Sequence, residues 1–215
     1  MHFLVVIPAR KNSKRLRNKN LLKINNKEII RYSFDIGVKI ENANVIVVSD
    51  SNKIKEISKK YSKIDSTYVR PKKNSQSKTS MFTTVNSVLG WYENKYNKKI
   101  DHIILLQPTS PYRNLKHIKK IIEFYKKNNL SSLTTVSQIK INNNCILQKK
   151  KHNYFFSKNK YPLYRIDGSV YICSKYFLKK YKRFSVENKT YFYLNENQFS
   201  IDIDYQEDFL LTKLL

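Results

Sequence analysis

The chain has 215 residues, 42 of them Lys or Arg and 16 Asp or Glu, for a formal net charge of +26. That length suits a single domain, 1–215, with a sizeable core, and 3 glycines with 5 prolines argue against a turn-dense β-sandwich. No apolar run reaches membrane-spanning length, and the first is too short and wrongly flanked for a signal peptide, so a cytoplasmic protein with no membrane partner is expected.

The charge itself invites nucleic-acid binding. Against that, lysine greatly outnumbers arginine, asparagine is abundant, and the lysines are scattered through every segment. An AT-rich coding sequence produces that pattern, so no nucleic-acid partner is expected. The positive field still attracts small anions. Cys145 and Cys173 have neither metal nor redox spacing, and the four histidines are dispersed.

In chain order, Phe3-Leu4-Val5-Val6-Ile7 reads as a buried strand ended by Pro8. A polar loop rich in cations follows, among them Arg10, Lys14, Arg15, Arg17 and Lys19. Leu21–Ile24 is a short apolar element. A helix is predicted over Glu28–Ile40, a strand over Ala43–Ser49, and a helix capped near Ser51 that runs to Tyr61. Ser66–Val69 reads as a strand, Thr79–Tyr96 as a helix, Ile100–Leu106 as a strand, and Asn114 starts a helix. This alternation predicts an α/β fold with a doubly wound, mostly parallel sheet. Leu130–Val136 adds a strand. Residues 137–164 turn polar and lysine-rich, and read as an insertion with a hairpin around Cys145–Leu147 and Tyr154–Phe156. Ser169–Cys173 resumes the sheet, Phe199–Asp204 is a late strand, and Tyr205–Leu215 a closing helix.

Four stretches carry chemistry. The first is Ile7-Pro8-Ala9-Arg10 with Asn12, Ser13, Lys14, Lys19 and Asn20: a cationic loop at the end of a buried strand, where an open α/β sheet binds anions. It has no glycine, so it is neither a Walker loop nor a dinucleotide fingerprint. The second is Gln107-Pro108-Thr109-Ser110-Pro111-Tyr112-Arg113. Two prolines stiffen it, Gln107 both donates and accepts, and Arg113 suits a carboxylate or phosphate. The third is Ile201-Asp202-Ile203-Asp204, whose aspartates share one face and suit a hard cation. The fourth is Arg165-Ile166-Asp167-Gly168-Ser169-Val170-Tyr171. The plain alternatives are a solvated basic loop, a Pro-rich helix cap, a strand edge with solvated acids, and a core tyrosine.

Three of these motifs, in this order, resemble the cytidylyltransferases that activate sialic-acid-like (nonulosonic) sugar acids. Leu-Leu-Gln-Pro-Thr-Ser-Pro-x-Arg matches at every fixed position. The resemblance spans nearly the whole chain. It departs at Lys11-Asn12, where the family has two glycines, and at Ser157–Lys160, where it has an arginine-glutamine pair. The family more often has asparagine where this chain has Asp167.

The resemblance implies a nucleotide-diphospho-sugar-transferase (GT-A-like) fold. It implies CTP and an acidic nine-carbon sugar as substrates, CMP-sugar and pyrophosphate as products, and a homodimer packed through the 137–164 insertion. Lys19 and Arg10 would be catalytic. Arg10, Asn12, Ser13, Lys14, Lys19, Asn20, Arg70, Thr79, Ser80, Gln107, Thr109 and Ser110 would hold the nucleotide. Gln107, Arg113, Arg165, Asp167, Gly168, Tyr171 and Phe192 would hold the sugar. Asp202 and Asp204, followed by a helix carrying Asp208, would hold Mg²⁺, with Mn²⁺ a substitute. Two rivals stand beside this reading. One is the related enzyme for the eight-carbon sugar acid of lipopolysaccharide, against which Asn20 argues. The other is a non-enzymatic nucleic-acid-binding protein.

Overall fold

A computed structural model describes residues 1–11, 13, 15–71, 79–139, 147–150, 153–156, 161–195 and 201–214. A seven-stranded sheet runs through it in the order β11-β7-β10-β6-β1-β4-β5. The strands are β1 (Phe3–Pro8), β4 (Ala43–Val48), β5 (Ile64–Asp65), β6 (His102–Leu105), β7 (Ser132–Ile139), β10 (Leu163–Ser174) and β11 (Tyr191–Leu194). β1 pairs in parallel with both β4 and β6, β4 with β5, and β11 with β7. Only β10 runs antiparallel to its neighbours in this sheet.

Period-two burial in β1 explains the layering. Phe3, Val5 and Ile7 face one cluster, with Ile30 and Phe34 of α1 (Ile29–Gly37), Ile54 of α2 (Asn52–Ser58), and Ile118, Ile121, Ile122 and Tyr125 of α4 (Leu115–Lys127). Leu4 and Val6 face the other, with Val85, Val88, Leu89 and Tyr92 of α3 (Met81–Tyr96) and Phe177 and Leu178 of α5 (Lys175–Tyr181). Alternation on a strand buried from both sides gives a doubly wound sheet. The chain moves outward from β1 to β4 and β5, then returns to β6 on β1's other side. Strand order therefore reverses at β1, and the crevice beyond its carboxyl end is where such a sheet takes a ligand.

A third, smaller cluster sits at that end. Leu16, Ile24, Ile29, Ile203 and Phe209 pack together. They tie the cationic loop, the hairpin of β2 (Lys23–Ile24) with β3 (Lys27–Glu28), and α6 (Gln206–Leu211) into one support.

Several sequence expectations are corrected. The strand expected at Ser66–Val69 lies at Ile64–Asp65, because Asp65 Oδ1 accepts from Thr67 N at 2.7 Å and turns the chain out of the sheet. Residues 201–204 form no strand. Ile203 N makes one backbone bond, 2.7 Å to Thr109 O, and the Ile/Asp alternation reflects burial of Ile203 in the third cluster. Residues 199–200 lie outside the described set. α5 and β11 were not foreseen: α5 buries only two residues, and β11 is a four-residue edge strand. The expected hairpin is present as β8 (Leu147–Lys150) against β9 (Asn153–Phe156); Cys145 and Ile146 lie outside the described residues.

Candidate active site

The ends of β1 and β6 open into a cleft. Arg10, Ser13, Lys19 and Asn20 line one wall, Arg70, Thr79, Met81 and Thr84 another, and Gln107, Pro108, Thr109 and Asp204 the rest. Residues spread over nearly two hundred positions meet there because most of them follow a strand end or lie near the start of a helix.

The loop after Pro8 is built without glycine. Ala9 N donates to Val48 O at 3.0 Å, and Lys11 N to Asp50 Oδ1 at 2.6 Å. Asn20 Nδ2 donates to Arg10 O at 3.1 Å and closes the loop on itself. Asn18 takes the left-handed conformation (φ +53°) and starts a 3₁₀ turn over Lys19–Leu21, a position asparagine tolerates better than most residues. That turn buries the Lys19 stem and aims Nζ at Asp204 Oδ1, 2.8 Å away. Arg15 Nη1 bonds the other oxygen of Asp204. Asn12 and Lys14 lie outside the described residues.

Across the cleft, buried Arg70 donates from Nη2 to Thr84 Oγ1 at 3.0 Å. Burial lowers its pKa, Asp50 opposes that, and the nearby Arg10 charge adds to it. Two cations thus converge on one space, as an oligophosphate site requires. Ser80 does something else: its hydroxyl accepts from Thr83 N at 3.1 Å and caps α3, and it is not among the lining residues.

Arg113 is an internal clamp. Nε donates to Ser169 O at 2.7 Å, Nη1 to Ser33 Oγ at 3.0 Å, and Nη2 bonds Gln107 O. Burial lowers its pKa, and Asp167 and Asp202 offset part of that. Asp167 is equally engaged. Thr135 Oγ1, Ser137 Oγ, Asn195 Nδ2 and Ser169 N all donate to it, at 2.6, 3.0, 2.7 and 2.9 Å. Its donors fill the space around both oxygens, so it braces the turn at Gly168. Gly168 has φ +72°, and a Cβ there would lie 3.2 Å from Ser110 Oγ and 3.4 Å from Asp202 Oδ2. Ser110 is buried beneath that turn, donating 3.4 Å to Asp167 O. Tyr171 is half-buried, and burial, then Asp202 and Asp167, pushes its hydroxyl up to about 12.

Asp202 lies on this floor. Its Oδ1 is buried with no hydrogen-bond partner, as is Thr109 Oγ1. The Thr109 hydroxyl favours the charged form of the carboxylate. Burial nevertheless pushes the Asp202 pKa up, and Asp204 adds to the rise, against Lys19 and Arg165. Asp204 behaves oppositely: burial raises it, but the bond to Lys19 and the charges of Lys19 and Arg15 leave it below the ordinary value. An orphaned buried carboxylate oxygen two residues from a second carboxylate fits a hard divalent cation with oxygen ligands. Asp208 is used locally, its Oδ2 accepting from Asp204 N at 2.9 Å and Tyr205 N at 2.8 Å at the start of α6.

A family model described as cytidylyltransferase matches residues 4–213. The chain belongs to the cytidylyltransferase family. It is 29% identical over 226 residues to a CMP-N,N'-diacetyllegionaminic acid synthase of Legionella pneumophila, covering 100% of this chain and 96% of that protein. It is 25% identical to an N-acylneuraminate cytidylyltransferase of Streptococcus agalactiae, over 96% of this chain but 51% of that one; the chain thus spans about half the length of that relative. Among solved structures, a CMP:2-keto-3-deoxy-manno-octonic acid synthetase complexed with CTP superposes with a TM-score of 0.67 at 16% identity, covering both chains fully. That likeness is one of fold.

Of the predicted sugar-side residues, Gln107 alone lines the cleft, and Phe192 and Arg165 lie on a different surface. Phe192 is exposed on β11 and lines a separate, largely apolar groove with Val136, Tyr164, Arg165, Ile166 and Leu194. Tyr193, its neighbour, packs on Phe124 of α4. Sequence reasoning missed Arg15 as a partner of Asp204, Thr84 as the anchor of Arg70, Ser33 as a partner of Arg113, and the hydroxyls of Thr135 and Ser137 around Asp167. The one available signal was polar residues inside β7, a strand otherwise read as buried.

Proposed function

We propose that this protein transfers a cytidylyl group from CTP to a nonulosonic sugar acid, giving the CMP-sugar and pyrophosphate. The observation that carries this reading is the meeting of Arg10, Lys19 and Arg70 with Asp202 and Asp204 around the Gln107–Ser110 turn, in a chain matched by the family model from residue 4 to 213. The names of the Legionella and Streptococcus relatives support a nonulosonic acid over the eight-carbon acid, whose synthetase resembles this chain at the level of fold.

The sugar's anomeric hydroxyl attacks the α-phosphorus, a new P–O bond forms, and the bond to the β-phosphate oxygen breaks as pyrophosphate leaves. Such chemistry needs alignment and charge neutralisation more than covalent help. Arg10, Ser13 and Arg70 bind the triphosphate. Lys19, held rigidly by its turn, neutralises charge that grows on the phosphoryl oxygens. Thr109 and Gln107 present polar atoms to the nucleoside. Arg113, Asp167, Gly168 and Ser110 keep the floor under Asp202 in place. Asp202 and Asp204 would hold Mg²⁺, which supplies Lewis-acid polarisation of the phosphoryl group. The reading carries a cytoplasmic setting and no nucleic-acid partner. It also carries a homodimer, supported by the exposed Tyr164, Ile166, Phe192 and Leu194; a monomeric mass by light scattering would count against that part.

The test is pyrophosphate release with CTP, Mg²⁺ and a panel of nonulosonic acids. Turnover of one sugar, reduced about 10²-fold or more in Lys19→Met and lost in Asp202→Ala, is the expected result. A folded protein that binds no CTP overturns the reading.

A further inference from the structure

Both oxygens of Asp204 are taken by cations, and the two cations are held very differently. Lys19 is fixed in its 3₁₀ turn, its side chain 11% exposed, whereas the Arg15 side chain is 54% exposed. The Arg15 guanidinium also sits 5.2 Å from the centre of the Tyr205 ring, a second seat that a planar cation accepts. Two residues before Asp204, Asp202 Oδ1 is buried without a partner. A divalent ion shared by these carboxylates therefore competes with two cations for the charge of Asp204. Exposed ion pairs hold weakly, so the bond to Arg15 breaks before the sheltered bond to Lys19.

We infer that Arg15 is a displaceable counter-ion. It neutralises Asp204 in the ligand-free protein, leaves when a divalent cation binds, and is then free, beside Tyr205, to meet the anionic nucleotide. Arg15 thereby couples metal entry to nucleotide binding: it opposes the metal alone and favours metal together with CTP. This inference rests on the reading of Asp202 and Asp204 as the metal site.

The experiment titrates Mn²⁺ alone against ligand-free protein and reads free Mn²⁺ by electron paramagnetic resonance, then repeats the titration with CTP present. Arg15→Met should bind Mn²⁺ alone about 2- to 5-fold more tightly than wild type and lose affinity when CTP is present. Arg15→Lys, which keeps the charge, should stay close to wild type. Adding Asp202→Asn to Arg15→Met should remove the binding. If Arg15→Met binds Mn²⁺ no more tightly than wild type, both below detection included, the inference is overturned, and loss of binding in Asp202→Asn would leave the metal site standing. If Arg15→Met binds more tightly but Asp202→Asn changes nothing, the ion sits elsewhere and both fall.

Discussion

Arg113 is the residue for which sequence and structure make opposite predictions. By motif it grips the substrate's carboxylate; by geometry it spends its donors on Ser169 O, Ser33 Oγ and Gln107 O. Those bonds join β10, α1 and the turn after β6. A hydrogen bond to a charged donor contributes about 1.5–3 kcal/mol. Three bonds sharing one side chain are not additive, so Arg113→Ala should destabilise the fold by roughly 3–5 kcal/mol, much of it from two stranded carbonyls. In a chain of this size that lowers the melting temperature by about 6–20 °C. Arg113→Lys keeps the charge but lacks the planar fork, and should lose more than half as much. Thermal and urea denaturation measure both variants, and the lysine variant gives an answer even if the alanine variant does not fold. The reasoning is refuted if Arg113→Lys melts within about 2 °C of wild type while KM for the sugar acid rises tenfold or more. That pattern belongs to a substrate-facing guanidinium.

Two further predictions follow from the floor of the cleft. Gly168→Ala puts a Cβ 3.2 Å from Ser110 Oγ and 3.4 Å from Asp202 Oδ2 on a backbone at φ +72°; it should cost about 1–2 kcal/mol of stability and lower kcat through displacement of Asp202, with KM for CTP nearly unchanged. Asp202 has a folded pKa raised by burial, so the folded state holds this proton to higher pH than the unfolded one. Its contribution to stability is present below the unfolded pKa and is lost as pH rises through the folded value. Ligand-free Asp202→Asn should therefore melt above wild type at neutral pH, the gap narrowing on acidification; a variant that melts below wild type at pH 7 contradicts the burial argument.

Much of this protein was legible in its residues. The run Phe3–Ile7, the Ala43–Val48 strand and the 3.6-residue spacing in α3 and α4 are local patterns, and local periodicity is what a sequence writes directly. Ser51 caps its helix as expected, and the helices expected to begin near Ser80 and Asn114 do begin there. The positions of Ser13, Lys19, Thr79, Gln107 and Thr109 on one cleft were also foreseeable, because each follows a strand or precedes a helix and an α/β sheet collects such ends. What each polar side chain does within that cluster was not. Arg113 and Asp167 look like ligands in one dimension and are consumed by protein partners in three. Their partners at Ser33, Ser169, Thr135, Ser137 and Asn195 are separated from them by up to 80 positions. The antiparallel insertion of β10 between β6 and β7 brings most of those atoms together. Likewise Ile201–Asp204 owes its alternation to a hydrophobic cluster assembled from the loop, the β2–β3 hairpin and α6. Composition and spacing determined which residues could bind an anion or a metal; tertiary packing decided which of them have donors and acceptors left to do so.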